Sequence, residues 1–148
     1  MKTVFDKDTR EELITRVSLL DKNSRPQWGK MNVYQMLKHC TKWNEMILGE
    51  IQVKQMILGK LFGKMALKNV LKNEMPLRKN SPTASELIIK EKAGDIALQK
   101  LELTKRICEY EHFNQPSIIH PFFGTMTKEQ AGQFVYKHHD HHLKQFGI

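Results

Sequence analysis

Asn32 stands three residues before Gln35 and Thr127 three before Gln130, and each pair opens a run whose apolar residues recur at helical spacing. Such a pair is a capping box. The first side chain takes a backbone N–H of the first turn and the amide three positions on reaches back, so each run carries its own helix start. The spacing predicts helices over 32–48, stopped by Gly49, and over about 128–146, stopped by Gly147. A third begins at Asp8-Thr9-Arg10-Glu11-Glu12 and carries Leu13, Val17 and Leu20 on one stripe. A fourth is predicted from 85 to 109, where Ile89, Ala93, Ile96, Leu103 and Ile107 approximate one face, and a shorter one from 59 to 73. Pro, Gly and Asn mark loops at 21–29, 74–84 and 114–124, and no segment alternates as a strand would. The expected fold is therefore all-α: a four-helix bundle with a long crossover connection carrying the short helix.

A chain of 148 residues fits one domain, 1–148, with a core that needs no staples. The N-terminus lacks the apolar core of a signal peptide and no apolar run reaches membrane-span length, so a cytoplasmic protein is expected. Cys40 and Cys108 stand alone, without a CxxC pair, and are expected to be reduced and buried. The formal charge of +8 permits attraction to nucleic acid or an anionic surface. Aromatic residues are not interleaved with the Lys and Arg, which argues against the stacking platforms of a single-strand binder.

Four of the seven histidines fall in five residues, His138-His139-Asp140-His141-His142, inside the last predicted helix. With about 100° of rotation per residue, His142 and Gln145 lie within about 40° of His138, so an i, i+4 pair can aim at one point. The same geometry leaves His138 with His141, at i, i+3, as a competing pair. His139 turns about 100° away and is expected on the surface. Two ligands do not hold a catalytic metal, so a third has to come from a facing helix. His39 shares a face with Gln35, Met36, Trp43 and Met46 and is predicted to point into the bundle. His141 and Gln145 are the nearest polar neighbours by helical phase and candidates for a catalytic role, and His120 is a weaker one from the loop before the last helix. The plainer readings are a core histidine bonded to the backbone at 39, a solvated run at 138–142 and a loop histidine beside Pro121. Cys40, Trp28, Trp43 and Phe134 read as packing residues.

Three stretches carry a resemblance. They are Trp28-Gly29-Lys30-Met31-Asn32 through Met36-Leu37-Lys38-His39; His120-Pro121-Phe122-Phe123-Gly124-Thr125-Met126-Thr127; and His138 with His141-His142-Leu143 and Gln145-Phe146. In order and over nearly the whole chain, they resemble the DinB-like (YfiT-like) superfamily of metal-dependent enzymes, closest to a subfamily without an assigned function. The resemblance implies a bundle with one long crossover and a divalent metal held by three histidines, one from the second helix and two spaced HxxxH on the last. By position these are His39, His138 and His142. Better-known relatives include thiol-dependent transferases and a maleylpyruvate isomerase that use mycothiol or bacillithiol. The implied activity is hydrolysis or group transfer on a small-molecule substrate, with a low-molecular-weight thiol as a further cofactor of such relatives.

Three imidazoles leave a coordination position open, the pattern of a catalytic rather than a structural metal. Zinc and nickel suit imidazole best, and iron and manganese are compatible with it. The competing function is a non-catalytic helical module, as monomer or homodimer, that contacts nucleic acid or another anion through its basic surface. Its most visible element is Lys60, Lys64, Lys68 and Lys72, a ribbon predicted to lie opposite Phe62, Ala66 and Val70. Without Arg or aromatic partners, such a ribbon reads first as a solvated face.

Overall fold

Both capping boxes form in the computed structural model, which describes residues 1–148. Helix α1 (Lys7–Ser18) buries Leu13 and Val17, with Leu20 just beyond its end. In α2 (Val33–Leu48), Asn32 accepts from the Gln35 N–H at 2.9 Å while Gln35 Oε1 accepts from the Asn32 N–H at 3.1 Å. Gly49 closes that helix at φ 86°, a left-handed conformation that glycine adopts without penalty. Helix α3 (Ile57–Val70) starts and ends slightly earlier than predicted, and α4 spans Ile96–Glu109. Strands β1 (Ser117–His120) and β2 (Gly124–Thr127) pair antiparallel, with Ser117 opposite Thr127 and His120 opposite Gly124. Helix α5 (Lys128–Gln145) follows directly from β2.

The chain is thus mostly helical but not all-α. The hairpin escapes sequence reading because its strands are four residues long: Ile118 and Met126 turn inward while Ile119 is exposed, too short an alternation to count as a period. The predicted helix over 85–109 is also corrected. Only its second half is helical, and the first half is one 3-10 turn at Ser85–Leu87 followed by an extended strap.

Side chains of α2 explain the strap. His39 Nδ1 meets the Leu87 carbonyl at 3.1 Å, Gln35 Nε2 donates to the Ile89 carbonyl at 3.2 Å, and Asn32 Nδ2 donates to the Lys92 carbonyl at 2.7 Å. These partners satisfy strap carbonyls without a helix. Gly94 then passes so close to Tyr34 that a Cβ there would lie 2.3 Å from the ring. Asp95 accepts from the Leu98 N–H at 3.0 Å and starts α4.

Helix α2 packs on α4 and α5, and α1 packs on the same two, so these four helices surround one core. Leu13, Leu37, Ile47, Leu103, Ile107, Val135 and Leu143 fill it, each almost fully buried. Burying a side chain of this size contributes roughly 1.5–3 kcal/mol, which makes this core the main source of stability. Cys40 belongs to it, whereas Cys108, expected inside, is exposed on α4; both are free thiols. No helix is long and apolar enough to cross a membrane.

Candidate metal centre

The same capping boxes that start α2 and α5 fix where their histidines face. His39 comes from the middle of α2, and His138 and His142 from successive turns of α5, where the two helices pack together. All three are buried, and they offer ring nitrogens that lie within 4.8 Å of one another. Their ring centroids are 5.5 Å (His39–His138), 5.0 Å (His39–His142) and 4.7 Å (His138–His142) apart. At that spacing the three could hold a single ion. His138 and His142 are the paired residues, not His138 and His141.

Two of the three are held by their far nitrogen. A carbonyl can only accept, so the Leu87 contact fixes the proton on His39 Nδ1 and leaves Nε2 with a lone pair. His142 Nδ1 donates to Gln145 Oε1 at 2.9 Å, and Gln145 Nε2 donates to the Trp28 carbonyl at 2.7 Å, which settles the orientation of the amide. Gly29, at φ 81°, makes room for this chain: a Cβ there would lie 2.5 Å from Gln145 Nε2. The Trp28-Gly29 pair in the sequence therefore serves His142, some hundred residues away.

His138 is different. Its ring stacks on Trp43, with centroids 4.0 Å apart and planes 14° from parallel, and its buried Nδ1 has no hydrogen-bond partner. An orphaned nitrogen of this kind costs about 1–3 kcal/mol unless something satisfies it.

Charge points the same way. Burial pushes His142 down to about 3, with the neighbouring His39 adding to the effect and Gln145 opposing it. His138 is pushed well below the usual imidazole range by burial, then by the charges of His142 and His39; His39 is lowered by burial and partly restored by Leu87. No carboxylate or thiolate joins the cluster. The three imidazoles are kept neutral with lone pairs available, and no anion stands by to stabilise an imidazolium. The cation such a set suits is a metal ion, which prefers neutral imidazole ligands oriented through their other nitrogen.

His139, expected at the surface, is instead one of the most buried side chains, 1% exposed. Its Nδ1 donates to the Val135 carbonyl at 2.8 Å, and its Nε2 accepts from Asn44 Nδ2 at 2.9 Å. Asn44 Nδ2 also reaches the Cys40 carbonyl, and its Oδ1 accepts from the Tyr110 hydroxyl at 2.7 Å. A rotation of 100° away from a metal face leads here to the α2–α5 interior, because α5 is packed on more than one side.

His120 sits at the end of β1 and accepts the backbone N–H groups of Phe122 (3.1 Å) and Phe123 (3.2 Å) on Nδ1, organising the hairpin turn. Burial pushes it down to about 4. It touches Trp43 and Phe134, each of which also touches His138, so it stands one layer behind the cluster. Gln145 faces the Nδ1 side of His142 and positions that ring. His141 is half-buried, its ring 5.2 Å from His142 and 5.7 Å from Trp28. It lines a cleft of about 610 Å³ with Trp28, Leu77, Lys79 and Asp140, and the three clustered histidines do not line that space. Sequence reasoning missed Asn44 and the Leu87 carbonyl; a backbone acceptor leaves no sequence signal, but an Asn inside a helix one turn past Cys40 was a visible anomaly.

Fold and site together define a mostly helical protein with a buried three-histidine cluster able to hold a metal ion. The chain belongs to the family described as Protein of unknown function (DUF1569), whose model matches residues 4–147. No curated protein and no solved structure matches it.

Proposed function

We propose that this protein is a metal-dependent enzyme of DinB-like type, in which His39, His138 and His142 hold one divalent ion. The ring of α1, α2, α4 and α5 fits the four-helix bundle of that superfamily, and the strap with α3 fits its crossover. A single observation carries the reading. Three buried neutral imidazoles converge without a countercharge, two locked by their Nδ1 protons and the third with an unpartnered nitrogen. A core that served only stability would not keep such a group.

Zinc and nickel are the ions that imidazole favours. Bound there, a divalent ion supplies Lewis acidity, lowering the pKa of water or holding a thiol as thiolate. The chain's own residues do the rest. Gln145 and the Leu87 carbonyl orient His142 and His39, Trp43 fixes the plane of His138, and His141 carries protons between the cleft and the site. The substrate on this reading is a small molecule for hydrolysis or thiol-dependent group transfer, which reaches the site by way of the cleft that His141 lines.

Metal analysis of untagged protein tests this directly. We expect about one divalent ion per chain in the wild type and in His112→Ala, an exposed control, and none in His39→Ala. Metal retained by a folded His39→Ala would refute the three-ligand centre.

A further inference from the structure

Helix α3 hangs on the outside of the molecule by its small residues. A Cβ at Gly59 or Gly63 would lie 2.3 Å or closer to the Phe122 carbonyl oxygen, so these glycines let α3 sit directly on the backbone of the hairpin turn. Met56 N–H donates to the Pro121 carbonyl at 2.9 Å and fixes the start of the helix there. Gly59, Gly63, Ala66, Leu67 and Val70 face inward.

What faces outward is not the solvated surface expected of a lysine ribbon. Ile57, Leu58, Leu61, Phe62 and Met65 are 50–80% exposed and occupy a continuous arc of about 140° on the helix. Phe62, predicted to lie opposite the lysines, is among them. Lys60 and Lys64 run along one edge of this arc, Lys68 continues the row just inside that edge in the turn after Met65, Lys72 lies just past the helix, and none of the four makes an ion pair. No Asp or Glu occurs between residues 51 and 73, a span that holds five lysines.

We propose that α3 is a membrane-surface helix that docks this protein onto an anionic lipid bilayer. An apolar arc flanked by unpaired lysines matches the two layers of such a surface, acyl chains below and anionic headgroups above. Long lysine stems can lie along the apolar arc while their ammonium groups stay at headgroup level. A second copy of the chain is a poorer occupant, because a two-fold contact on this face brings like-charged lysine rows together on a protein of net charge +8. Nucleic acid uses the lysines but leaves five apolar side chains in water. The arc is also convex and belongs to one helix, so it offers no groove for a partner peptide.

Vesicle co-sedimentation of the full chain provides the test. Wild-type protein is expected to sediment with vesicles of phosphatidylcholine mixed with phosphatidylglycerol, and not with phosphatidylcholine alone, and to be released by high salt. Leu61→Glu with Phe62→Glu, both on the exposed arc, should lower that binding by at least about tenfold with an unchanged circular dichroism spectrum. Replacing Lys60, Lys64 and Lys68 by Gln should lower it by a similar factor and remove the salt dependence. Absence of binding to the anionic vesicles, or binding indifferent to the Leu61/Phe62 pair, overturns the proposal. So does salt-sensitive binding to duplex DNA in place of vesicles, or a dimer in solution that dissociates in the Leu61/Phe62 variant without any lipid binding.

Discussion

Helices α2 and α5 build two buried polar clusters beside each other, and the two differ in where their nitrogens end up. In the His139–Asn44–Tyr110 cluster, both imidazole nitrogens, the amide oxygen and the amide nitrogen are all hydrogen-bonded within the protein. In the His39–His138–His142 cluster each ring turns toward the others, and His138 leaves a buried nitrogen with no partner at all. Burial is the same in both, and it depresses His139, to about 4, as it does His142. Neither burial nor titration therefore separates a structural histidine from a candidate ligand; completeness of hydrogen bonding does.

The comparison breaks most forcefully at Asn44. Asn44→Ala strips His139 Nε2 and the Tyr110 hydroxyl of their partners in a fully buried place, and each orphaned group costs about 1–3 kcal/mol. The expected loss is roughly 3–5 kcal/mol in a urea melt, with the folded protein keeping its metal. A folded variant that loses metal, or a stability unchanged within about 1 kcal/mol, would show that the two clusters are not separate in function.

His120 holds the hairpin turn through Phe122 and Phe123, and its titration should show it. Its folded value of about 4 lies below the ordinary imidazole value of 6.5, so the unfolded chain takes up the proton first as pH falls. The contribution to stability is present above about 6.5 and is lost as pH drops toward 4, in total on the order of 3 kcal/mol. Protonated Nδ1 also cannot accept from Phe122 and Phe123. Denaturant melts at pH 7 and pH 5 should therefore show a smaller acid loss in His120→Asn than in the wild type. Equal losses in both proteins would remove His120 from the hairpin's support.

On the ligand side, the next effect is at Gln145. Gln145→Leu leaves His142 Nδ1 unheld, and loss of such an orienting partner typically weakens metal binding by about 10–100-fold without unfolding the protein. Gly29→Ala should act in the same direction and more weakly, because its methyl displaces the Gln145 amide rather than removing it. A competition titration with a chelating dye reads both, and an affinity unchanged by Gln145→Leu would count against His142 binding through Nε2.

Much of this was legible in the chain. Asn32/Gln35 and Thr127/Gln130 announced the two helices that carry the site; helical phase allowed His138 with His142 beside the competing pair His138 with His141 and turned His39 inward, and the resemblance selected the set that converges here. The strap was hidden because Ile89, Ala93 and Ile96 keep helical spacing while their backbone is held by α2 side chains from far away in sequence. Gly94-Asp95 marks the true start of α4, and the apolar spacing runs on across it without a helix beneath. His139 was misplaced for a related reason: helical phase tells which residues share a face, not how many faces of a helix are covered. The same limit applies to Phe62: phase groups it with Ala66 and Val70 opposite the lysines, but only the glycine side of α3 meets the protein, and Phe62 stays exposed.

The smallest effect is the most pointed test of what separates the clusters. If the ligand cluster is kept for metal rather than for the fold, the metal-free protein should do better without one of its members. His138→Phe keeps a flat ring against Trp43 and removes the orphaned Nδ1, so in the presence of a chelator it should match or exceed the wild type, by about 1 kcal/mol. With metal supplied, the order should reverse, because only the wild type gains binding energy in its folded state. Paired thermal melts with chelator and with zinc read both halves. A variant less stable than the wild type under chelation would mean that His138 holds the fold together as His139 does, and the contrast between the two clusters would be lost.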